Sequence, residues 1–208
     1  MSIRRSIFGP SKDEIWMQIA SDLEGEFIEG GLWEENAVTY NHGEWRIILD
    51  TRTETTHTGT MMMTMQYTRM RAPFINRDGL YFAISNEGFF SSIGKLLGMQ
   101  DIVIGDRYFD DRFLIKGNSP EKIKLLLADD RIRELIRKQP KVHLRIKDDE
   151  GMFGTDFPDG VDELYFECAG VIKETEALKD LFELFSLILE RLVQIDSAYE
   201  DDPKVILK

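Results

Sequence analysis

A broad apolar stripe near the C-terminus constrains this chain more than any other feature. Apolar side chains recur there at the three- and four-residue spacing of one helix face: Leu178, Leu181, Phe182, Phe185, Ile188, Leu189 and Leu192. Leu184 and Leu187 widen the stripe. A surface this apolar has to be covered, so we expect the helix to lie in the centre of a core or in a dimer interface.

The charges in the chain exclude several classes of protein. Asp180, Glu183 and Glu190 interrupt the apolar stripe, so the helix is not expected to span a membrane. The net charge of -12 over 208 residues repels nucleic acid. The single cysteine, Cys168, allows no disulfide within the chain, and the N-terminus lacks the apolar run of a signal peptide. We therefore predict a cytoplasmic protein without nucleic-acid partners.

Helical and strand patterns are both present. Ser11 and Glu14 have capping-box spacing ahead of a four-residue repeat, which predicts a first helix ending near Gly30. Ser119 and Pro120 begin one broken helix or two short ones that end before Pro140, and a short helix is predicted over residues 88–98. Alternating or apolar runs predict strands near residues 37–40, 45–50, 60–73, 80–85, 142–146 and 164–168. The first four of these strands, joined by short links, favour a meander.

These elements predict a single α+β domain over residues 1–196. We expect an antiparallel sheet that helices cover on one face, in a helix-grip-like arrangement with the long C-terminal helix across the sheet. Residues 197–208 end in an acidic and then aliphatic run, and we expect them to form a flexible acidic tail.

The methionine run is the most unusual local feature. On an extended strand Met61, Met63 and Met65 point to one side, which favours packing beneath helices as part of a core. The same side chains would also suit a pocket for an apolar ligand, lined together with Phe82 and Phe185. A third reading is a copper(I) site in which the sulfur atoms converge, with His57 added.

Two further surfaces are candidates for binding. A basic cluster near residues 131–147 contains a candidate site for an anion or an acidic partner: Arg137, Lys141, Arg145 and Lys147. Leu184 and Leu187 are the candidate residues for self-association through the C-terminal helix. The histidines lack the short spacing of metal hydrolases, and no nucleotide-binding glycine pattern is present. We predict no catalytic, cofactor or metal residues.

One segment supports a resemblance to known proteins. Residues 105–127 read GDRYFDDRFLIKGNSPEKIKLLL, with Phe109 and Phe113 four residues apart and Asp106, Asp110 and Asp111 placed to accept backbone donors in turns. This segment resembles uncharacterised bacterial domains in which a Gly-Asp-x-x-Phe-Asp-x-x-Phe turn and strand precede a capped helix. The resemblance covers the second half of the chain and implies a bacterial protein, with no catalytic residues to carry over.

The function predicted from the sequence is binding rather than catalysis. The first hypothesis is a non-enzymatic binding or assembly module that uses the C-terminal helix to bind a second copy or a protein partner. The alternative is a carrier of a small apolar ligand in the methionine-lined pocket. An enzyme is not expected, because no nucleophile and base converge in the sequence pattern.

Overall fold

The structure, a computed structural model, describes residues 9–31, 35–59, 61–86, 101–148 and 157–207. In these ranges the helices are α1 (Lys12–Asp22), α2 (Arg107–Asp110), α3 (Pro120–Leu126), α4 (Asp130–Lys138) and α5 (Thr175–Gln194). The strands are β1 (Glu26–Ile28), β2 (Ala37–His42), β3 (Trp45–Thr58), β4 (Met61–Asn76), β5 (Phe82–Asn86), β6 (Phe113–Gly117), β7 (His143–Lys147), β8 (Val161–Ala169) and β9 (Ala198–Tyr199). The helix predicted over residues 88–98 lies outside the described residues.

The strands form one antiparallel sheet in the order β1-β2-β3-β4-β8-β7-β5-β6, with β9 added beside the end of β4. β1 to β4 form a meander. The sequence predicted that β5 would continue this meander, but β8 and β7 lie between β4 and β5. The link after β4 is not a tight hairpin. The Asn76 side chain accepts from the amides of Gly79 and Leu80 and donates to the Leu80 carbonyl, which turns the chain out of the meander.

The helices cover one face of this sheet. The strand residues that face them share one phase of the alternation and are fully buried, among them Val38, Ile47, Leu49, Met70, Ala72, Phe74, Leu164 and Phe166. The indole nitrogen of Trp16 on α1 donates to the Ile172 carbonyl, 3.4 Å away. The predicted α+β class, with an antiparallel sheet and a C-terminal helix, is confirmed.

The first helix is shorter than its pattern predicts. The capping box is present, since Ser11 and Glu14 bond each other's backbone amides. The helix ends at Asp22, because Glu24 adopts a left-handed backbone and the chain then enters β1. Farther along, the predicted break between Pro120 and Pro140 is confirmed as two helices, and Asp129 caps the second of them.

The C-terminal helix packs inside the core. Leu184 is only 1% exposed and Leu187 is half-buried against the same core. The prediction that this pair forms an exposed surface for self-association is wrong for Leu184, because the stripe is wide enough to contact the sheet and the neighbouring helices together. Among the described helices, none is long and apolar enough to cross a membrane.

The segment after the C-terminal helix belongs to the fold. Ser197 and Ala198 are buried, and β9 pairs with β4 through Ala198 and Tyr199. The Lys122 ammonium holds the entry to this segment by donating to the Ser197 hydroxyl at 3.0 Å and to the Asp78 carboxylate at 2.6 Å. The predicted boundary of a flexible tail at residue 197 is therefore wrong, because buried polar contacts and strand pairing continue beyond it.

The segment that carries the resemblance follows its pattern only in part. Asp111 pairs with the Arg107 side chain, and the Ser119 side chain does not cap the helix that follows, but the turn itself forms as predicted. Asp106 accepts from the Phe109 amide, and Asp110 accepts from the amides of Ile104 and Gly105. The rings of Phe109 and Phe113 lie 4.7 Å apart between centroids, with both side chains buried. Two aspartates thus close the turn while two aromatic side chains attach it to the core.

A close approach between β6 and β5 gives the first testable prediction. A methyl group at Gly117 would lie 2.5 Å from the Tyr81 carbonyl oxygen and would also meet the Ile123 side chain. Because a backbone atom cannot yield easily, we expect Gly117→Ala to lower the free energy of unfolding by about 1–3 kcal/mol. Gly31→Ala is the matched control, since a methyl group there meets none of the described atoms within 4 Å. Equal urea midpoints for the two variants would contradict the prediction.

Candidate functional site

The sheet face opposite the helices carries a band of polar and charged side chains. On β4, Arg69 and Arg71 alternate with the core residues Met70 and Ala72 and so point to this second face. The strand register places Asp50 opposite Arg69 and Arg69 opposite Glu167. We call this surface the charged face; it consists of Arg46, Asp50, Arg52, Arg69, Arg71, His143, Arg145, Lys147, Glu163, Tyr165 and Glu167.

Asp50 is the centre of a buried ion cluster on the charged face. Its carboxylate accepts from Nε of Arg69 at 2.7 Å and from a terminal nitrogen of Arg71 at 2.5 Å. The side chains of Asp50 and Arg71 are 7% and 3% exposed. Charges at that depth are stable only when paired, so Asp50 fixes the position of both guanidinium groups. One carboxylate is thus shared by two arginines.

A second cluster surrounds Glu167. The Tyr165 hydroxyl donates to its carboxylate at 2.7 Å, and a terminal nitrogen of Arg52 donates at 3.2 Å. Burial opposes the charge of Glu167, but the Tyr165 hydrogen bond and the Arg52 charge outweigh it and lower the pKa of Glu167. Burial, together with the Glu167 charge, raises the pKa of Tyr165, so its hydroxyl keeps the proton. Glu167 is thus a hydrogen-bonded anion at neutral pH.

His143 lies beside this cluster as a neutral side chain. Its Nδ1 is 3.8 Å from a Glu167 carboxylate oxygen. Burial, together with the positive charge of Arg145, lowers the pKa of His143 to about 4, although the Glu167 carboxylate acts in the opposite direction. At neutral pH the charged face therefore gains no positive charge from this imidazole.

A cleft opens at the β2–β3–β4 side of the charged face. It encloses about 580 Å³. Its floor is formed by the charged residues Arg46, Asp50, Arg52, Arg69 and Arg71, its apolar lining by Ile28, Ala37, Ile48 and Pro73, and one wall by Val205, Ile206 and Leu207 of the C-terminal segment. We call this space the cleft. It combines a cationic floor with aliphatic walls.

The arginines of the cleft differ in how far they are already engaged. Asp50 holds Arg69 and Arg71. Arg52 bonds Glu54 and Glu167 and stacks over the Tyr67 ring. Arg46 is exposed and makes no ion pair with a residue that the structure describes. Four arginines and two carboxylates, those of Asp50 and Glu35, line the cleft, so cations outnumber anions among its lining residues in a chain whose net charge is -12.

The predicted methionine pocket does not form. Met61, Met63 and Met65 are 72%, 63% and 48% exposed, whereas Phe82 and Phe185 are fully buried in the core. The prediction is wrong because residues 61–66 of β4 extend past the neighbouring strand β8 and are exposed on both faces, with Met62 at 67% as well. The buried part of β4 begins at Thr68, so the methionines lie beyond the helices that would have covered them.

The predicted anion patch is divided between two places. Arg145 and Lys147 lie on the charged face and pack against the ring of Tyr165 at 5.2 and 4.3 Å from its centroid. Arg137 lies on α4, where it bonds Asp106, and Lys141 is an exposed residue ahead of β7. The structure therefore brings two of the four residues together.

The sequence reasoning missed the cleft itself. The sequence does indicate part of it, because Arg69 and Arg71 alternate with Met70 and Ala72, as the residues on the solvent-facing side of a strand alternate with those facing the core. Arg46 and Asp50 alternate in the same way with Ile47 and Leu49 on β3. The C-terminal wall of the cleft gave no local signal.

The chemistry of these residues is the basis on which a function can be assigned. No protein-family model, curated protein or solved structure matches this chain. The resemblance of residues 105–127 to uncharacterised bacterial domains therefore stays a prediction.

Proposed function

We propose that the protein is a non-enzymatic binding module that holds a small anionic molecule with an apolar part in the cleft. The observation that carries this proposal is Arg46, an exposed cation in the lining of an arginine-rich cleft, with which no described carboxylate forms an ion pair. A carboxylate or phosphate group of a ligand would complete its pairing. The ligand is thereby proposed to be an amphiphile rather than the purely apolar molecule suggested by the methionine run.

The arginines of the cleft favour a ligand that carries a negative charge. Arginine binds carboxylate and phosphate through two parallel hydrogen bonds, which an ammonium group cannot match in geometry. Asp50 keeps Arg69 and Arg71 in fixed positions beside Arg46, so little side-chain entropy is lost when an anion binds. A cationic ligand would meet four arginines at close range and is disfavoured.

The volume and the aliphatic lining of the cleft favour an apolar chain as the rest of the ligand. The volume of about 580 Å³ lies within the range of roughly 300–1,000 Å³ that is usual for small-molecule sites. Ile28 and Ile48 on the sheet and Val205 on the C-terminal segment provide aliphatic contacts. A short acyl or alkyl chain would cover these side chains while its acidic head reaches Arg46.

Binding is favoured over catalysis by the state of the groups near the cleft. The Tyr165 hydroxyl donates to the Glu167 carboxylate, which also accepts from Arg52, so neither group is poised as a base or nucleophile toward the cleft. A cytoplasmic setting remains part of the proposal. Cys168 is a free buried thiol, and burial raises its pKa to about 11, so it is unlike a reactive nucleophile.

The proposal predicts that an acidic head group decides affinity. We expect isothermal titration calorimetry to detect binding of octanoate and octyl phosphate but not of octanol or octylamine. Arg46→Glu should weaken octanoate binding by roughly 10- to 100-fold, since it replaces a charge-assisted pair by repulsion. Arg107→Glu is the matched control, because Arg107 is 94% exposed on α2 and does not line the cleft. Equal affinity for octanol and octanoate, or an unaltered Arg46→Glu variant, would refute the proposal.

A further inference from the structure

The β3–β4 hairpin extends past the neighbouring strands as a two-stranded arm. β2 pairs with β3 as far as Leu49, and β8 pairs with β4 from Thr68 onward. Beyond those points the register of β3 and β4 continues through seven cross-strand pairs, from Arg52 opposite Tyr67 to the pair at the tip. We call residues 52–58 and 61–67 the arm. Among the strands that the structure describes, none pairs with its outer edges.

The β4 edge of the arm carries no charge. The Gly170 amide donates to the Gln66 carbonyl at 2.8 Å, so the open part of this edge runs from Met61 to Met65. The five side chains there are four methionines and Thr64, in a chain in which 31% of the residues are charged. Native proteins usually protect an exposed strand edge with charges, proline or a covering element. An open, uncharged edge of this kind is typical of a strand that pairs with another chain.

The exposed methionines point to the same conclusion. Met61, Met62 and Met63 are each more than 60% exposed, at 72%, 67% and 63%. A two-stranded ribbon is only marginally stable in water, and adjacent exposed apolar side chains add to the cost of leaving it unpartnered. A third and fourth strand would give the arm the backbone partners that it lacks within the described chain.

We infer that the arm pairs with the arm of a second copy of this chain, β4 edge to β4 edge, antiparallel about a two-fold axis near Met63. The charges of the molecule support this occupant. Two copies that each carry a net charge of -12 repel one another, so contact is least opposed where both surfaces are uncharged. With Met63 on the axis, Met61 lies opposite Met65 and Met62 opposite Thr64, and no charged side chain faces another.

The β3 edge of the arm is a poorer surface for this pairing. It contains Arg52, Glu54 and His57, so most registers would place charged groups opposite charged groups. The open β4 edge, residues 61–65, has no charged side chain, so no register places one charge opposite another. Because the arm alone is smaller than a standard interface of roughly 20–30 residues a side, the dimer should form reversibly and depend on concentration.

The first test compares the same substitution at two exposed methionines. Sedimentation velocity of the full chain at about 1–100 µM should show a mass that rises from monomer to dimer. Met63→Lys should raise the dimer dissociation constant at least tenfold, because like charges then meet near the axis. Met17→Lys is the control, since Met17 is an exposed methionine on α1 and lies outside the arm. A monomer across the whole range, or a dimer that Met63→Lys leaves intact, would overturn the inference.

The second test does not depend on the lysine variant being folded. Residues opposite each other in antiparallel strands lie close enough for a disulfide, so Met63→Cys should form a covalent dimer on mild oxidation. Cys168 does not compete, because its side chain is buried. Met17→Cys should stay monomeric under the same oxidant. Equal cross-linking of both variants would show random collision and would also overturn the inference.

Discussion

Replacing Asp50 by alanine is expected to lower the free energy of unfolding by about 3–5 kcal/mol. The carboxylate is bonded by Arg69 at 2.7 Å and by Arg71 at 2.5 Å, and it is 7% exposed. Without it, two guanidinium groups would remain in a partly dehydrated position on the charged face without their shared counter-charge. Urea unfolding followed by circular dichroism at pH 7.5 gives the measurement.

Two comparisons identify the cause of that loss. Asp111→Ala removes the carboxylate of an exposed pair with Arg107, 72% and 94% exposed, and should cost less than about 1 kcal/mol. Asp50→Leu combined with Arg71→Met should be less costly than Asp50→Ala, because it removes one of the two guanidinium groups together with the carboxylate that they share. If Asp50→Ala were as mild as Asp111→Ala, the buried cluster would not contribute to stability as we infer.

Lowering the pH from 7.5 to 4.5 is expected to destabilise the fold by about 2–3 kcal/mol through His143. Its pKa is lowered from 6.5 to about 4 by burial and by the Arg145 charge. Between these two pH values the unfolded chain binds a proton that the folded chain does not, so stability is full above pH 6.5 and falls toward pH 4. The lowered pKa of Glu167 adds a loss in the same direction at the acidic end.

A histidine variant isolates this contribution. His143→Gln should abolish the decrease assigned to His143 between pH 7.5 and 4.5, while His57→Gln, a change at an exposed histidine on the arm, should leave it in place. Urea midpoints at five pH values for the three proteins measure the slope. Parallel slopes for the natural chain and His143→Gln would mean that other groups cause the acid sensitivity.

Local sequence patterns predicted the faces of most strands but not their neighbours. The alternation of Leu144 and Ile146 on β7, and of Leu164 and Phe166 on β8, indicated buried residues, and all four are buried. The insertion of β8 between β4 and β7 was not predictable in this way, because pairing between residues about a hundred positions apart leaves no local periodicity. Short links between successive strands predicted a meander from β2 through β5. That prediction is wrong at β5, which lies beyond β8 and β7 in the sheet.

The error on β4 has a definite physical origin. Residues 61–66 of this 16-residue strand are exposed at odd and even positions alike, and burial begins at Thr68, where β8 starts to pair with β4. A period-two pattern separates the two faces of a strand, but it does not show where the strand extends beyond the elements that would cover it. The meeting of Asp50 with Arg69 follows from the register of the hairpin around Gly59, whereas that of Arg52 with Glu167 depends on the long-range β4–β8 pairing.

The place of β8 in the sheet also bears on how the chain can fold during synthesis. Until residue 169 has left the ribosome, β4 has no partner on that side from Thr68 to Ile75, although it emerges many residues earlier. During that interval the open edge of β4 extends from the uncharged methionines along most of the strand. Such an edge can pair with another nascent chain, so the yield of native protein should depend on how fast translation delivers β8.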